Sequence, residues 1–240
     1  MKLSVNIDHA ATLRQARGGS DPSLLAIAKE VALAGAHGIT VHIRQDQRHI
    51  QVPDLHELKN QQNLPLNIES SVHAPFIHLL CELKPSLVTL VPESPEEITT
   101  QGGLNLQRDR EGLEKTISIL KTHGIKVSLF LDPSESIVNE ALSFHPDAIE
   151  INTNEYAQTS SQSDGGRNEL QVIRKVASQI RKSGCRVLAG HGLTKDNVLG
   201  IGFISHIEEL NIGHAIIARS LFIGITQATQ EILGQIPAEG

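Results

Sequence analysis

Four polar residues interrupt short apolar runs in this chain. They are Asn6 in Val5-Asn6-Ile7, His42 in Val41-His42-Ile43, Glu69 in Asn67-Ile68-Glu69 and Glu150 in Ile149-Glu150-Ile151. Buried side chains of this kind find partners or cost free energy, so their placement suggests working groups. Imidazole titrates near neutrality and a carboxyl group is tuned by its surroundings. His42, Glu69 and His191 are therefore candidates for acid/base work. Glu150 could orient a group or stabilise positive charge. For a lone strand glutamate the plain alternative is an internal ion pair with an arginine.

Other segments read as anion sites. His42 to His49 is the densest cationic stretch, and Arg44, Arg48 and His49 offer directional donors to a phosphate. A solvated loop paired with Asp46 is the competing reading, and His42 next door tips the balance to a ligand site. Arg17-Gly18-Gly19 reads equally as an anion loop or a plain turn. His191 lies between glycines in Ala189-Gly190-His191-Gly192-Leu193-Thr194, and Asn211-Ile212-Gly213-His214-Ala215 repeats the arrangement. Either alone reads as a tight turn with a structural histidine. Both together, each before a possible helix start, favour anion binding by backbone amides.

The elements that must position these residues alternate. Strands are expected at Leu3–Asp8, Gly38–Ile43, Leu66–Ser70, Ser86–Val91, Lys126–Asp132, Ala148–Asn152, Arg186–Ala189 and Glu209–Gly213. Their near-continuous Val, Ile and Leu content is that of strands buried on both faces. Asp21-Pro22 and Asp132-Pro133 read as helix starts, with Asp as cap and Pro at the first helical position. Gly35 can end the first of these helices, Arg167–Ser183 carries another stripe that stops at Gly184, and Thr194 can cap a short helix. Gln158–Gly166 reads as a mobile loop. Eight strands alternating with helices match a (β/α)8 TIM barrel, a fold whose active sites lie at the carboxyl ends of the strands. An open doubly wound sheet is the competing fold, but no GxGxxG follows the first strand. The expectation is a single domain over residues 1–240.

Composition bounds the rest. Lys and Arg number 21 and Asp and Glu 27, a net charge of −6, which argues against broad nucleic-acid binding. Cys81 and Cys185 lie far apart in no metal-binding spacing, as expected of reduced thiols in a cytoplasmic protein. No apolar leader opens the chain and no apolar run approaches a membrane span. No cofactor fingerprint or obvious metal set is present. Asp8-His9 with His42 lacks HxH or HExxH spacing. The residues alone thus point to carbon–carbon or carbon–nitrogen chemistry on phosphorylated small molecules.

The chain also resembles a known family, the pyridoxine 5′-phosphate synthases of the deoxyxylulose-dependent vitamin B6 pathway. The resemblance is carried by Val5-Asn6-Ile7-Asp8-His9-Ala10-Ala11-Thr12-Leu13-Arg14, Gly38-Ile39-Thr40-Val41-His42-Ile43-Arg44, Leu66-Asn67-Ile68-Glu69, Thr99-Thr100-Gln101-Gly102-Gly103-Leu104, Ala189-Gly190-His191-Gly192-Leu193-Thr194 and Asn211-Ile212-Gly213-His214-Ala215. It runs in order over essentially the whole chain. It implies a barrel with a few extra helices, a homo-octamer, and condensation of 1-deoxy-D-xylulose 5-phosphate with 3-amino-2-oxopropyl phosphate. Phosphate and water would be released, without a cofactor or metal. His42, Glu69 and His191 match the family's acid/base residues, and Glu150 a residue that stabilises charge. Asp8, His9, Arg44, His49 and Thr99 match positions that hold the sugar phosphate. Asn6, Arg17, Gly192, Gly213 and His214 match those that hold the amino ketone phosphate. Partners would be these two metabolites and further copies of the chain, with no nucleic acid or membrane.

The chain departs from the family pattern at two places. Gln45-Asp46-Gln47-Arg48-His49 replaces Glu-Asp-Arg-Arg-His, and Asn152-Thr153-Asn154 replaces the His-Thr-Gly that often follows the position of Glu150. The second leaves the sixth loop without an assigned role beyond Glu150. Two rivals remain. One is another phosphate-binding barrel lyase or isomerase, which needs a Schiff-base lysine or a metal. The other is a non-catalytic binding barrel, which predicts damage to the acid/base set. The stretch Pro92–Gly103 is a candidate for the loop that closes the site.

Overall fold

The computed structural model describes residues 1–61, 63–72, 74–93, 102–108, 110–159 and 163–237. Eight parallel strands close into a barrel in chain order. They are β1 (Lys2–Asn6), β2 (Gly38–Ile43), β3 (Leu66–Ser70), β4 (Leu87–Leu90), β5 (Val127–Leu131), β6 (Ala148–Asn152), β7 (Arg186–Gly190) and β8 (Glu209–Ile212). The last strand pairs with the first, Lys2 beside Glu209 and Val5 beside Ile212. The (β/α)8 reading of the sequence is therefore correct.

Alternation along each strand sorts the side chains. Leu3, Val5, Ile39, Val41, Ile68, Val88, Leu129, Ile149, Val187 and Leu210 belong to one large core and are inaccessible to solvent. Each such side chain contributes roughly 1.5–3 kcal/mol of burial energy. The intervening residues form a different set. Leu87, Ala148 and Leu188 make a small separate apolar cluster. Ser4, Thr40, Asn67, Thr89 and Asn211 make a buried polar layer. In it Thr40 Oγ1 lies 2.7 Å from Ser4 Oγ and donates to Asn211 Oδ1 at 3.2 Å, and Thr89 donates to Asn67 at 3.0 Å. Two residues further along these strands stand Asn6, His42, Glu69, Phe130, Glu150 and Gly190. The polar interruptions in the sequence thus share one parity and one end of the barrel.

The surrounding helices are α1 (Asp8–Arg17), α2 (Leu24–Leu33), α3 (Val52–Gln61), α4 (Ala74–Leu83), α5 (Arg110–Thr122), α6 (Glu135–Leu142), α7 (Asn154–Gln158), α8 (Asp164–Lys182), α9 (Val198–Gly202), α10 (His214–Ile223) and α11 (Ile225–Leu233). Several starts differ from expectation. β1 stops at Asn6, and Asp8 opens α1, because Asn6 Oδ1 accepts the Asp8 amide at 3.0 Å and bends the chain. Asp21 does not cap α2. Ser23 does, accepting the Ala26 amide at 3.2 Å. Ser134, not Asp132, precedes α6, since the Asp132 carboxylate is taken by Gly103 N at 2.9 Å and Asn152 Nδ2 at 2.8 Å. Asn197 stands in the cap position of α9, while Thr194 accepts the Asp196 amide. Ser163 caps α8, so Asp164–Gly166 are helix rather than loop, and residues 160–162 lie outside the described residues. Cys81 and Cys185 are buried and free. Among the described residues no helix is long and apolar enough to cross a membrane.

Candidate active site

A cavity of about 370 Å³ opens at the carboxyl ends of the strands. Its floor holds three carboxyl groups. Asp8 Oδ1 accepts the His42 amide at 2.9 Å and Oδ2 accepts Asn6 Nδ2 at 2.9 Å. Burial still pushes its pKa up to about 7 against those hydrogen bonds. Glu150 accepts Asn211 Nδ2 at 2.6 Å, and burial lifts it to about 8. Glu69 is raised well above the ordinary carboxyl range, first by burial and then by the negative charges of Glu150 and Asp8. His42 faces Glu69 in strand register, with Nδ1 4.0 Å from Oε2. Burial, with Arg44 and His49 adding to it, lowers His42 to about 3. At neutral pH the imidazole of this pair is neutral, and the carboxyl group beside it is shifted towards its protonated form.

One wall is basic. Arg44 is buried at the end of the β2 segment, and His9, His49 and His214 cluster beside it. The His9 ring meets His214 edge-on at 4.9 Å and His49 at 6.4 Å. Burial and these two neighbours lower His9 to about 4. His49 Nδ1 lies 2.8 Å from Thr12 Oγ1. Its backbone carbonyl accepts Arg14, whose guanidinium grips Asp54 with two contacts of 2.6 and 2.7 Å. The pair fixes α1, α3 and the His49 segment to one another. Arg48 turns instead to Asp46, with Nε donating at 2.7 Å, as the solvated-loop reading of that residue had it.

The adjoining wall is built from the ends of β7 and β8. Gly213 precedes α10, so the helix N-terminus and its free amides open on the cavity. A side chain at Gly213 would come within 2.9 Å of Asn6 Cβ. His191 has φ +83°, a conformation that costs a residue with a side chain about 1–3 kcal/mol. Burial lowers its pKa against the pull of Asp132. Its ring lies nearly parallel to Phe130 at 6.2 Å. Gly192 follows at φ +76°, where a Cβ would strike Ala157 at 2.6 Å. No lysine lines the cavity among the described residues. Lys2 opens β1 at the far rim. Among the described residues no three His, Cys, Asp or Glu side chains group to hold a metal ion.

This chain has known relatives. A family model described as the pyridoxal phosphate biosynthesis protein PdxJ matches residues 3–238. The chain belongs to the PdxJ family. Proteins named pyridoxine 5′-phosphate synthase resemble it over nearly their whole length. That of Trichlorobacter lovleyi is 41% identical over 232 residues, covering 97% of each chain. That of Sulfurihydrogenibium sp. is 43% identical over 238 residues, covering 97% of this chain and 96% of its own. Among solved structures, 3-hexulose-6-phosphate synthase superimposes with a TM-score of 0.65 at 14% identity, covering 99% of this chain and 100% of its own. Phosphoribosyl anthranilate isomerase from Thermus thermophilus gives 0.62 at 10%, covering 98% of each chain. These two likenesses concern the fold alone.

As a PdxJ-family barrel, the chain gathers most of the residues singled out in its sequence. Asn6, Asp8, His9, His42, Arg44, His49, Glu69, Glu150, His191, Gly192, Gly213 and His214 all line the cavity. Arg17 does not: it is exposed in the last turn of α1, and Gly18 ends that helix at φ +62°. Thr99 lies outside the described residues. So does most of Pro92–Gly103, the stretch considered for closing the site. The cavity also includes Phe130, Val91, Asn154 and Asn211, which sequence reasoning gave no separate role. Phe130 and Asn211 share strand parity with Glu150, a signal that could have found them. Asn154 follows β6 in the segment that departs from the family pattern, and no role was read from it.

Proposed function

We propose that this chain is a pyridoxine 5′-phosphate synthase that joins 1-deoxy-D-xylulose 5-phosphate to 3-amino-2-oxopropyl phosphate. The observation that carries the proposal is His42 opposite Glu69 on a carboxyl-lined floor between two walls suited to phosphate. Arg44, His49 and His9 form one wall and the α10 N-terminus with Gly192 the other. The amine attacks the sugar ketone, and loss of water gives an imine. Removal of the proton next to the imine leaves an enamine, whose electron pair expels the neighbouring hydroxyl group as water. Enolisation of the ketone so formed drives out the sugar's phosphate from the next carbon, and a water adds to the alkene left behind and supplies the hydroxymethyl oxygen. The carbon next to the ketone then closes on the second carbonyl, and loss of that oxygen as water with a final proton shift makes the ring aromatic. The balance is one pyridoxine 5′-phosphate, one inorganic phosphate and two waters. Its phosphate is that of the amino ketone.

The proton carriers divide by environment. His42 and His191, held neutral by burial, take protons from carbon and nitrogen. Glu150, protonated at neutral pH, and Glu69, raised by burial and by its carboxylate neighbours, give them to departing oxygens and to the imine. Arg17 and Thr99 remain assigned to the substrates by resemblance. The same reading makes the protein a cytoplasmic homo-octamer. Leu33, Leu221 and Phe222 are 76%, 72% and 83% exposed, and contact with further copies of the chain would cover them.

The test mixes purified protein with both substrates in the presence of EDTA and follows pyridoxine 5′-phosphate and phosphate together. Equimolar appearance of the two supports the proposal. No product, with both substrates intact and bound, overturns it in favour of a binding protein.

A further inference from the structure

We infer that Thr153 is a positioning residue for His191, acting through its hydroxyl group. The inference rests on the acid/base role proposed for His191. It assigns the sixth loop a task that its departure from the family pattern left open.

Asn152 and Gly190 are the last partners in the β6–β7 register, so Thr153 is the next residue out, beside His191. Thr153 is wholly buried. Its amide donates to Gly190 O at 2.8 Å. Its Oγ1 lies 2.8 Å from the same oxygen and 2.6 Å from His191 O. A hydroxyl group has one proton to donate. Gly190 O already holds an amide, so the hydroxyl proton serves His191 O, the shorter contact. That carbonyl belongs to a residue at φ +83° followed by another at +76°. Relaxation of this turn towards extended backbone would swing the imidazole away from Phe130 and out of the cavity. The bond from Thr153 opposes that relaxation at the strained residue itself.

Thr153 is itself held on both sides. Asn152 Nδ2 donates to Asp132 Oδ1 at 2.8 Å, and Asn152 Oδ1 accepts the Asn154 amide at 3.0 Å. Asp132 is also the anion nearest in effect to the His191 ring. The sixth loop therefore sets the backbone of the seventh, and the Phe130 ring sets the plane of its imidazole.

The experiment compares Thr153→Val, which keeps the shape and removes the hydroxyl, with Thr153→Ser, which keeps the hydroxyl. Steady-state kinetics on the full chain are measured per folded protein, with folding read by circular dichroism. Thr153→Val is expected to lower kcat roughly tenfold to a hundredfold, the scale of a displaced reacting group. KM for the sugar phosphate should change by less than about twofold, since the Arg44 wall is untouched, and KM for the amino ketone phosphate should rise by a smaller factor than kcat falls, since Gly192 N shares a peptide with His191 O. The acid limb of kcat should move to higher pH as the imidazole regains water. Thr153→Ser should stay within about twofold of wild type. If Thr153→Val does not fold, Thr153→Ala replaces it in the same comparison. A valine or alanine variant with wild-type kcat overturns the inference. Equal losses in the serine variant also overturn it, because the methyl group's packing would then be the cause. Inactivity of the wild-type protein itself refutes the proposed function before any variant is compared.

Discussion

At the scale of single residues, the site inverts the ordinary order of acids and bases. Histidine usually titrates above glutamate, yet burial takes His42 down to about 3 and lifts Glu150 to about 8. In the proposed reaction the groups are thereby set apart for opposite tasks. Activity should hold through neutrality and fall on an alkaline limb near pH 8 as Glu150 ionises. Glu150→Gln should lower kcat and remove that limb, as read from kcat against pH. Stability carries the same signature. The folded state binds the Glu150 proton more tightly than the unfolded chain does, so this stabilisation is complete below about pH 4.5. It is lost as pH rises through about 8. The loss is on the order of a few kcal/mol, and Glu150→Gln should unfold with a flatter pH dependence in urea. These residues were legible because a polar side chain inside an apolar strand run is conspicuous. Arg17 was singled out for its glycine neighbours, which prove to be a helix end, and its link to the substrates still rests on resemblance.

At the scale of elements, strands were easier to read than helices. Expected and observed strand ends agree to within two residues, because burial on both faces writes the strand directly into composition. Both helix starts assigned to Asp-Pro pairs were displaced to a serine two residues on. The Asp132 carboxylate is spent on Gly103 and Asn152, partners that no local pattern reveals. The segment that became α1 read as strand and loop, because its polar residues were weighed for chemistry rather than for helical spacing. That helix now carries a structural duty. Arg14 and Asp54 form a buried bidentate pair that also holds the His49 carbonyl. Asp54→Ala would strand the guanidinium. It should cost about 3 kcal/mol, a fall of about 6–12 °C in melting temperature. Sugar phosphate binding should weaken with it, as measured by calorimetry.

At the scale of the whole molecule, apolar side chains on α2 and α10 face outward. If they mark contacts between copies, wild-type protein sediments as a large assembly, and Leu221→Asp with Phe222→Asp shifts it to smaller species in analytical ultracentrifugation. The seam of the barrel has a different consequence. Asn6 and His9 belong to the opening of the chain, and Asn211, Gly213 and His214 to its final strand and the helix after it. The two groups meet only where β1 pairs with β8. A chain emerging from the ribosome therefore cannot complete the candidate site until its last strand is out of the exit tunnel. Until then β1 and β7 each present an open edge, the kind of surface on which nascent chains pair wrongly with one another. Premature termination anywhere before residue 209 would leave chaperones and proteases with a partial sheet that has no catalytic value to the cell.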